Sequence, residues 1–80
     1  MYIGQDLIEV RFYPNDHESV TIQAHNGGYN ILWTDLLTGR SREALGVYTM
    51  YEHTTKENYE KAYEKVREMY PNIMDFHFKD

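Results

Sequence analysis

The sequence predicts an α+β domain: an antiparallel sheet of three to five strands with one amphipathic helix packed on one face, in the order β-β-β-β-α-β. Three observations carry this. Residues 7–25 alternate apolar and polar side chains in two separate runs. The stretch "HNGGYN" (25–30) holds a strong hairpin signal. Residues 54–70 open on a capping pattern and then repeat apolar side chains at helical spacing.

The first strand is "LIEVRFY" (7–13), with Ile8, Val10 and Phe12 on one face and Glu9 and Arg11 on the other. "PNDHE" (14–18) follows as a turn, because proline, asparagine and aspartate favour its dihedrals. "SVTIQAH" (19–25) is the second strand, setting Val20, Ile22 and Ala24 against Thr21, Gln23 and His25. Asn26-Gly27-Gly28 reverses the chain into a third, "YNILWT" (29–34). Residues 35–46 admit two readings. Thr38-Gly39-Arg40-Ser41 is a hairpin tip, or "SREAL" is a short helical turn capped by Ser41. The β-branched and aromatic content of "VYTMY" favours a fourth strand from about Leu45 to Glu52.

Thr54 with Glu57 three residues on forms a capping box, and Tyr59, Ala62, Tyr63, Val66, Met69 and Tyr70 then share one side of a helix ended by Pro71. The tail "NIMDFHFK" (72–79) alternates Met74, Phe76 and Phe78 against Asp75 and His77, which predicts a last strand.

At 80 residues the chain is read as one domain, 1–80, with a thin margin of stability. It has no cysteine, so neither disulfides nor thiolate zinc sites contribute, and a reducing cytoplasm suits it. No basic-plus-apolar leader opens it, and its longest apolar run, "ILW" (31–33), is far too short for a membrane span. A cytoplasmic protein is the expectation.

The net charge is −5. Residues 1–26 set Asp6, Glu9, Asp16 and Glu18 against Arg11 alone, while the helix balances four acids with four bases. Direct nucleic-acid binding calls for a basic face, and Arg40 with Arg42 is the one tight basic pair, so no such binding is expected. A basic protein surface is the better match.

Within the helix, Glu57, Glu60, Glu64 and Glu68 fall within about 80° of one another and opposite Tyr59 and Val66. The Glu60–Glu64 and Glu64–Glu68 pairs repel mildly, so a face shaped only for stability would interleave its signs better. Most charged helix faces nevertheless do no more than keep a helix in water. Glu9, Asp16 and Glu18 form a second acidic group, which serves either to guard a sheet edge or to extend the ridge into a mimic of spaced phosphates.

His17, His25, His53 and His77 are scattered, with no metal-ligand spacing, and no cofactor or metal is expected. Neither phosphate-cradling glycine motif is present, and Ser19 and Ser41 lack a nucleophile context. An enzyme is not expected.

The profile of a short, acidic, cysteine-free α+β unit resembles that of small phage or mobile-element inhibitors of host enzymes, anti-CRISPR and anti-restriction proteins among them. The likeness is one of size and charge. It carries over no residue; from the charge pattern itself, the leading expectation is a non-enzymatic binding protein that occupies a basic surface on a larger protein, with Glu57, Glu60, Glu64 and Glu68, joined by Glu9, Asp16 and Glu18, supplying the charged contacts. Two alternatives accompany it: a homodimer or small oligomer pairing through an open sheet face bearing Leu32, Val47 or Tyr51, and a small-ligand domain built on His25, Trp33 and a carboxylate.

Overall fold

The computed structural model describes residues 7–71. Four strands, β1 (Ile8–Asn15), β2 (Glu18–His25), β3 (Gly28–Asp35) and β4 (Ser41–Tyr48), precede one helix, α1 (Thr55–Met69). The sheet is antiparallel throughout, in the order β1-β2-β3-β4. The α+β class and the order of these five elements follow the sequence pattern. The final strand predicted over residues 72–79 lies outside the described residues.

Register aligns the apolar positions. Val10 pairs with Ile22 and Ile22 with Ile31; Phe12 pairs with Val20 and Val20 with Trp33. Alternation puts all of these on one face, where Val20, Ile22, Ala24 and Ile31 are fully buried. The helix covers that face with Thr55, Asn58, Ala62 and Val66, flanked by half-buried Tyr59 and Tyr63. It lies chiefly over β2, then β3. The Phe12 and Tyr63 rings meet at 5.6 Å. Each large apolar side chain so buried contributes about 1.5–3 kcal/mol.

The turns differ from the sequence reading. The first is only Asp16-His17, because Asn15 organises it: its side-chain oxygen accepts from the His17 N–H at 2.7 Å, and its amide donates to Glu18 at 3.3 Å. Pro14 therefore sits inside β1, an edge strand where a missing N–H is tolerated, and the pairing shifts between Phe12 and Asn15. Glu18 opens β2 rather than lying in the turn.

In the second hairpin the positive φ expected within Asn26-Gly27-Gly28 falls on Gly28 (φ 144°). A Cβ on Gly28 would lie 2.1 Å from the Val47 carbonyl oxygen, so β3 and β4 approach there as only glycine allows.

Residues 35–46 form a hairpin and not a helical turn. Asp35 holds the loop: its carboxylate accepts from the Leu37 N–H and the Thr38 hydroxyl, and its carbonyl accepts from the Gly39 N–H at 2.7 Å. β4 then starts four residues earlier than expected and ends at Tyr48. Ile31 pairs with Leu45 but Leu32 with Glu43, so Ala44 is a bulge that turns Leu45 and Val47 toward the core.

Candidate functional site

The predicted acidic residues occupy three places. Glu57, Glu60, Glu64 and Glu68 are exposed along α1, on the side away from the sheet. Asp16 and Glu18 lie at the β1–β2 turn. By alternation Glu9 falls on the sheet face opposite the helix, where its carboxylate accepts from the Gln23 amide at 2.5 Å. The helix ridge is thus brought together, whereas Glu9 points to the other side of the molecule.

The four ridge glutamates are not equivalent. Glu57 closes the capping box: it accepts from the Thr54 N–H at 2.8 Å while the Thr54 hydroxyl accepts from the Glu57 N–H at 3.1 Å. Hydrogen bonds to its carboxylate from the Thr54 backbone N–H and from the Thr54 side chain, with His53 and Lys61 nearby, hold its carboxyl below the ordinary glutamate range. Glu68 stands 4.0 Å from Lys65, an exposed pair of small energetic value. Among the described residues Glu60 and Glu64 have neither a hydrogen bond nor an ion pair. With His53, Glu57 and Lys61 they line a shallow depression.

That depression starts beside a segment the sequence reading assigned to a strand. Met50 and Tyr51 have φ of 54° and 68°, and the Glu52 N–H donates to the Thr49 carbonyl at 3.0 Å. Two successive left-handed residues closed by this bond are the signature of a type I′ turn, whose usual occupants are asparagine and glycine. For side chains like these the left-handed region costs roughly 1–2 kcal/mol per residue. The turn is anchored from below, since the Thr49 N–H donates to the Gly27 carbonyl at 3.0 Å and the Tyr51 ring lies across Gly27.

Its large side chains face outward. Tyr48 is 84% exposed, Met50 76% and Tyr51 75%. Together with Tyr48 at the end of β4, the Thr49–Glu52 turn therefore forms a knuckle of two aromatic rings and a thioether, set between the β2–β3 hairpin and the N-terminus of α1. Composition hides it, because "VYTMY" has strand propensity. Chain length offers a signal: a strand reaching Glu52 leaves only His53 before the Thr54 cap, too little to swing the chain onto the sheet face.

The remaining candidates separate. His25 and Glu43 line a small cleft at the sheet edge with Asn30 and Tyr48. Trp33 is not there; it lies under the Arg42 guanidinium, 5.0 Å from its centroid, at the other end of the sheet. Arg42 also borders Tyr70, whose phenol is pushed up by burial and by Glu18, with Arg42 opposing them. Among the described residues no three histidine, aspartate or glutamate side chains converge as metal ligands.

The sheet face opposite the helix carries hydrogen-bonded polar pairs, Glu9–Gln23, Asn30–Glu43 and Thr34–Ser41. By register Leu32 falls on that face, but Val47 packs toward the core and Tyr51 belongs to the knuckle. This face is therefore mainly polar among the described residues. Among the described residues no helix is long and apolar enough to cross a membrane. No protein-family model, no curated protein and no solved structure matches this chain.

Proposed function

We propose that this is a non-enzymatic binding protein of the cytoplasm that seats its outer helix face on a basic surface of a larger protein. The observation behind this reading is Glu60 and Glu64. They are exposed, one helical turn apart, and without a pairing cation among the described residues, although Lys61 and Lys65 are adjacent in sequence. Repulsion at this spacing costs the isolated helix a few tenths of a kcal/mol, and a cationic partner would relieve it. Glu57 takes a lesser part because the cap already engages it. Glu9 lies on the opposite sheet face, so the reading rests first on the helix glutamates, with Asp16 and Glu18 at the β1–β2 end of the sheet as flanking acids. The narrower reading, an inhibitor that holds a nucleic-acid channel by imitating spaced phosphates, shares this chemistry and is supported only by size and charge.

The test is direct. Protein retained from a bacterial lysate by the immobilised chain at low salt, and released at high salt, is identified and purified. Its affinity is then measured against the wild type and against Glu60→Lys with Glu64→Lys. Weakening by tenfold or more, about 1.4 kcal/mol, with a flattened salt dependence, is expected. Unchanged affinity, or no salt-released protein, rules the proposal out.

A further inference from the structure

We infer that the Thr49–Glu52 knuckle is the apolar anchor of the interaction, inserting Met50 and Tyr51 into an apolar pocket whose rim carries lysine or arginine. This rests on the binding reading above and adds where the contact is centred and what shape the partner has.

Two independent observations meet at the knuckle. The first is exposure: Tyr48, Met50 and Tyr51 are each at least three-quarters exposed, and neighbouring apolar side chains in that state mark interaction surfaces. Aromatic residues and methionine are also enriched at interface centres. The second is backbone conformation. Met50 and Tyr51 occupy consecutive left-handed positions that asparagine and glycine fill at no such penalty. Their side chains contribute nothing to the core that would explain their presence. Strain kept in a well-anchored segment, carrying large side chains that the core does not use, points to a use outside the fold.

Charge selects the partner. Residues 48–60 carry Glu52, Glu57 and Glu60 against Lys56 alone, and the depression that runs on from the turn is lined by Glu57, Glu60 and Glu64 with His53 and a single lysine, Lys61. An apolar tip beside an acidic flank fits a pocket with a basic rim. The same flank is repelled by a second copy of this chain, which bears net charge −5, and by an anionic lipid surface.

The test uses the full chain with Met50→Asn and Tyr51→Gly together, which keeps the turn type and removes both side chains. Unfolding is followed by heat, and affinity is measured for the salt-released protein identified above. The variant is expected to melt about 5 °C higher than the wild type and to bind roughly tenfold or more weakly, at low and high salt alike. Tyr48→Ala, which leaves the turn untouched, is expected to weaken binding to a smaller degree. A melting temperature that does not rise overturns the claim that the turn is held at a cost. Affinity within threefold of wild type, while Glu60→Lys with Glu64→Lys still weakens binding, overturns the anchor and leaves the electrostatic reading standing. If neither variant weakens binding, or no salt-released protein is found, both readings fall. Binding of the wild type, but not the turn variant, to phosphatidylcholine vesicles identifies a lipid surface instead and overturns the protein pocket.

Discussion

The Asn58 side-chain amide donates to the His25 backbone carbonyl at 2.6 Å, across 33 residues of sequence. This bond ties the second turn of α1 to the end of β2, beneath the knuckle. Asn58 is fully buried within a stripe otherwise made of Thr55, Ala62 and Val66. A polar group there fixes the rotation and the axial position of the helix, which apolar contacts alone leave loose.

Replacing Asn58 with leucine is expected to destabilise the fold by about 1 kcal/mol, because the part-buried His25 carbonyl loses its donor. The effect is offset in part by removal of the buried Asn58 side-chain oxygen, which has no partner among the described residues. Urea denaturation reads the loss. Stability equal to wild type would mean that the bond contributes nothing net.

The capping box carries a second expectation. Thr54→Ala is expected to cost about 1 kcal/mol, typical for loss of an N-cap hydroxyl, with the loss visible as reduced helicity. The same cap sets an acid dependence. Glu57 titrates below its ordinary value of 4.5, so its stabilising effect is fully present above that value and is lost as pH falls through its lowered value. Glu57→Gln is expected to flatten the acid limb of a stability–pH curve. A curve parallel to wild type below pH 4.5 would contradict this.

Gly28→Ala is expected to destabilise by more than about 2 kcal/mol, since a Cβ would collide with the Val47 carbonyl and the backbone must also hold φ at 144°. Gly39→Ala supplies the contrast. Its φ of 76° is also left-handed, but no atom lies near a Cβ there, so only the smaller conformational penalty remains. Thermal melts of the two variants should differ clearly in the order stated.

Glu64→Lys is expected to leave stability within about 0.5 kcal/mol of wild type, because the repulsion it relieves with Glu60 and Glu68 is offset by new repulsion with Lys61 and Arg67 three residues away. Unchanged stability together with a loss of binding would separate what the ridge does for the fold from what it does for a partner.

Much of the fold was legible because apolar and polar side chains alternate cleanly along β1 and β2. Val10, Phe12, Val20, Ile22 and Ile31 were placed on one face by sequence pattern alone, and Thr54 with Glu57 marked the helix start. Turn lengths were less legible, for physical reasons. Asn15 shortens the first reversal through its own side chain, and the Ala44 bulge shifts β4 against its apolar pattern. The glutamate ridge could be read from spacing. The knuckle could not be read from propensity, since methionine and tyrosine favour helix or strand and here adopt neither. Asn58 was hidden for the opposite reason: a polar residue on an apolar stripe looks like an interruption until its acceptor arrives from 33 positions away.

The order β1-β2-β3-β4 has a consequence for assembly. Every strand finds its neighbour immediately next along the chain, so no pairing waits for a distant segment and loop closure costs little at each step. During synthesis the meander can zip up hairpin by hairpin while its apolar side is still bare. The helix, emerging afterwards, then seals it, and pulse-labelled amide exchange should find β2–β3 protected before α1.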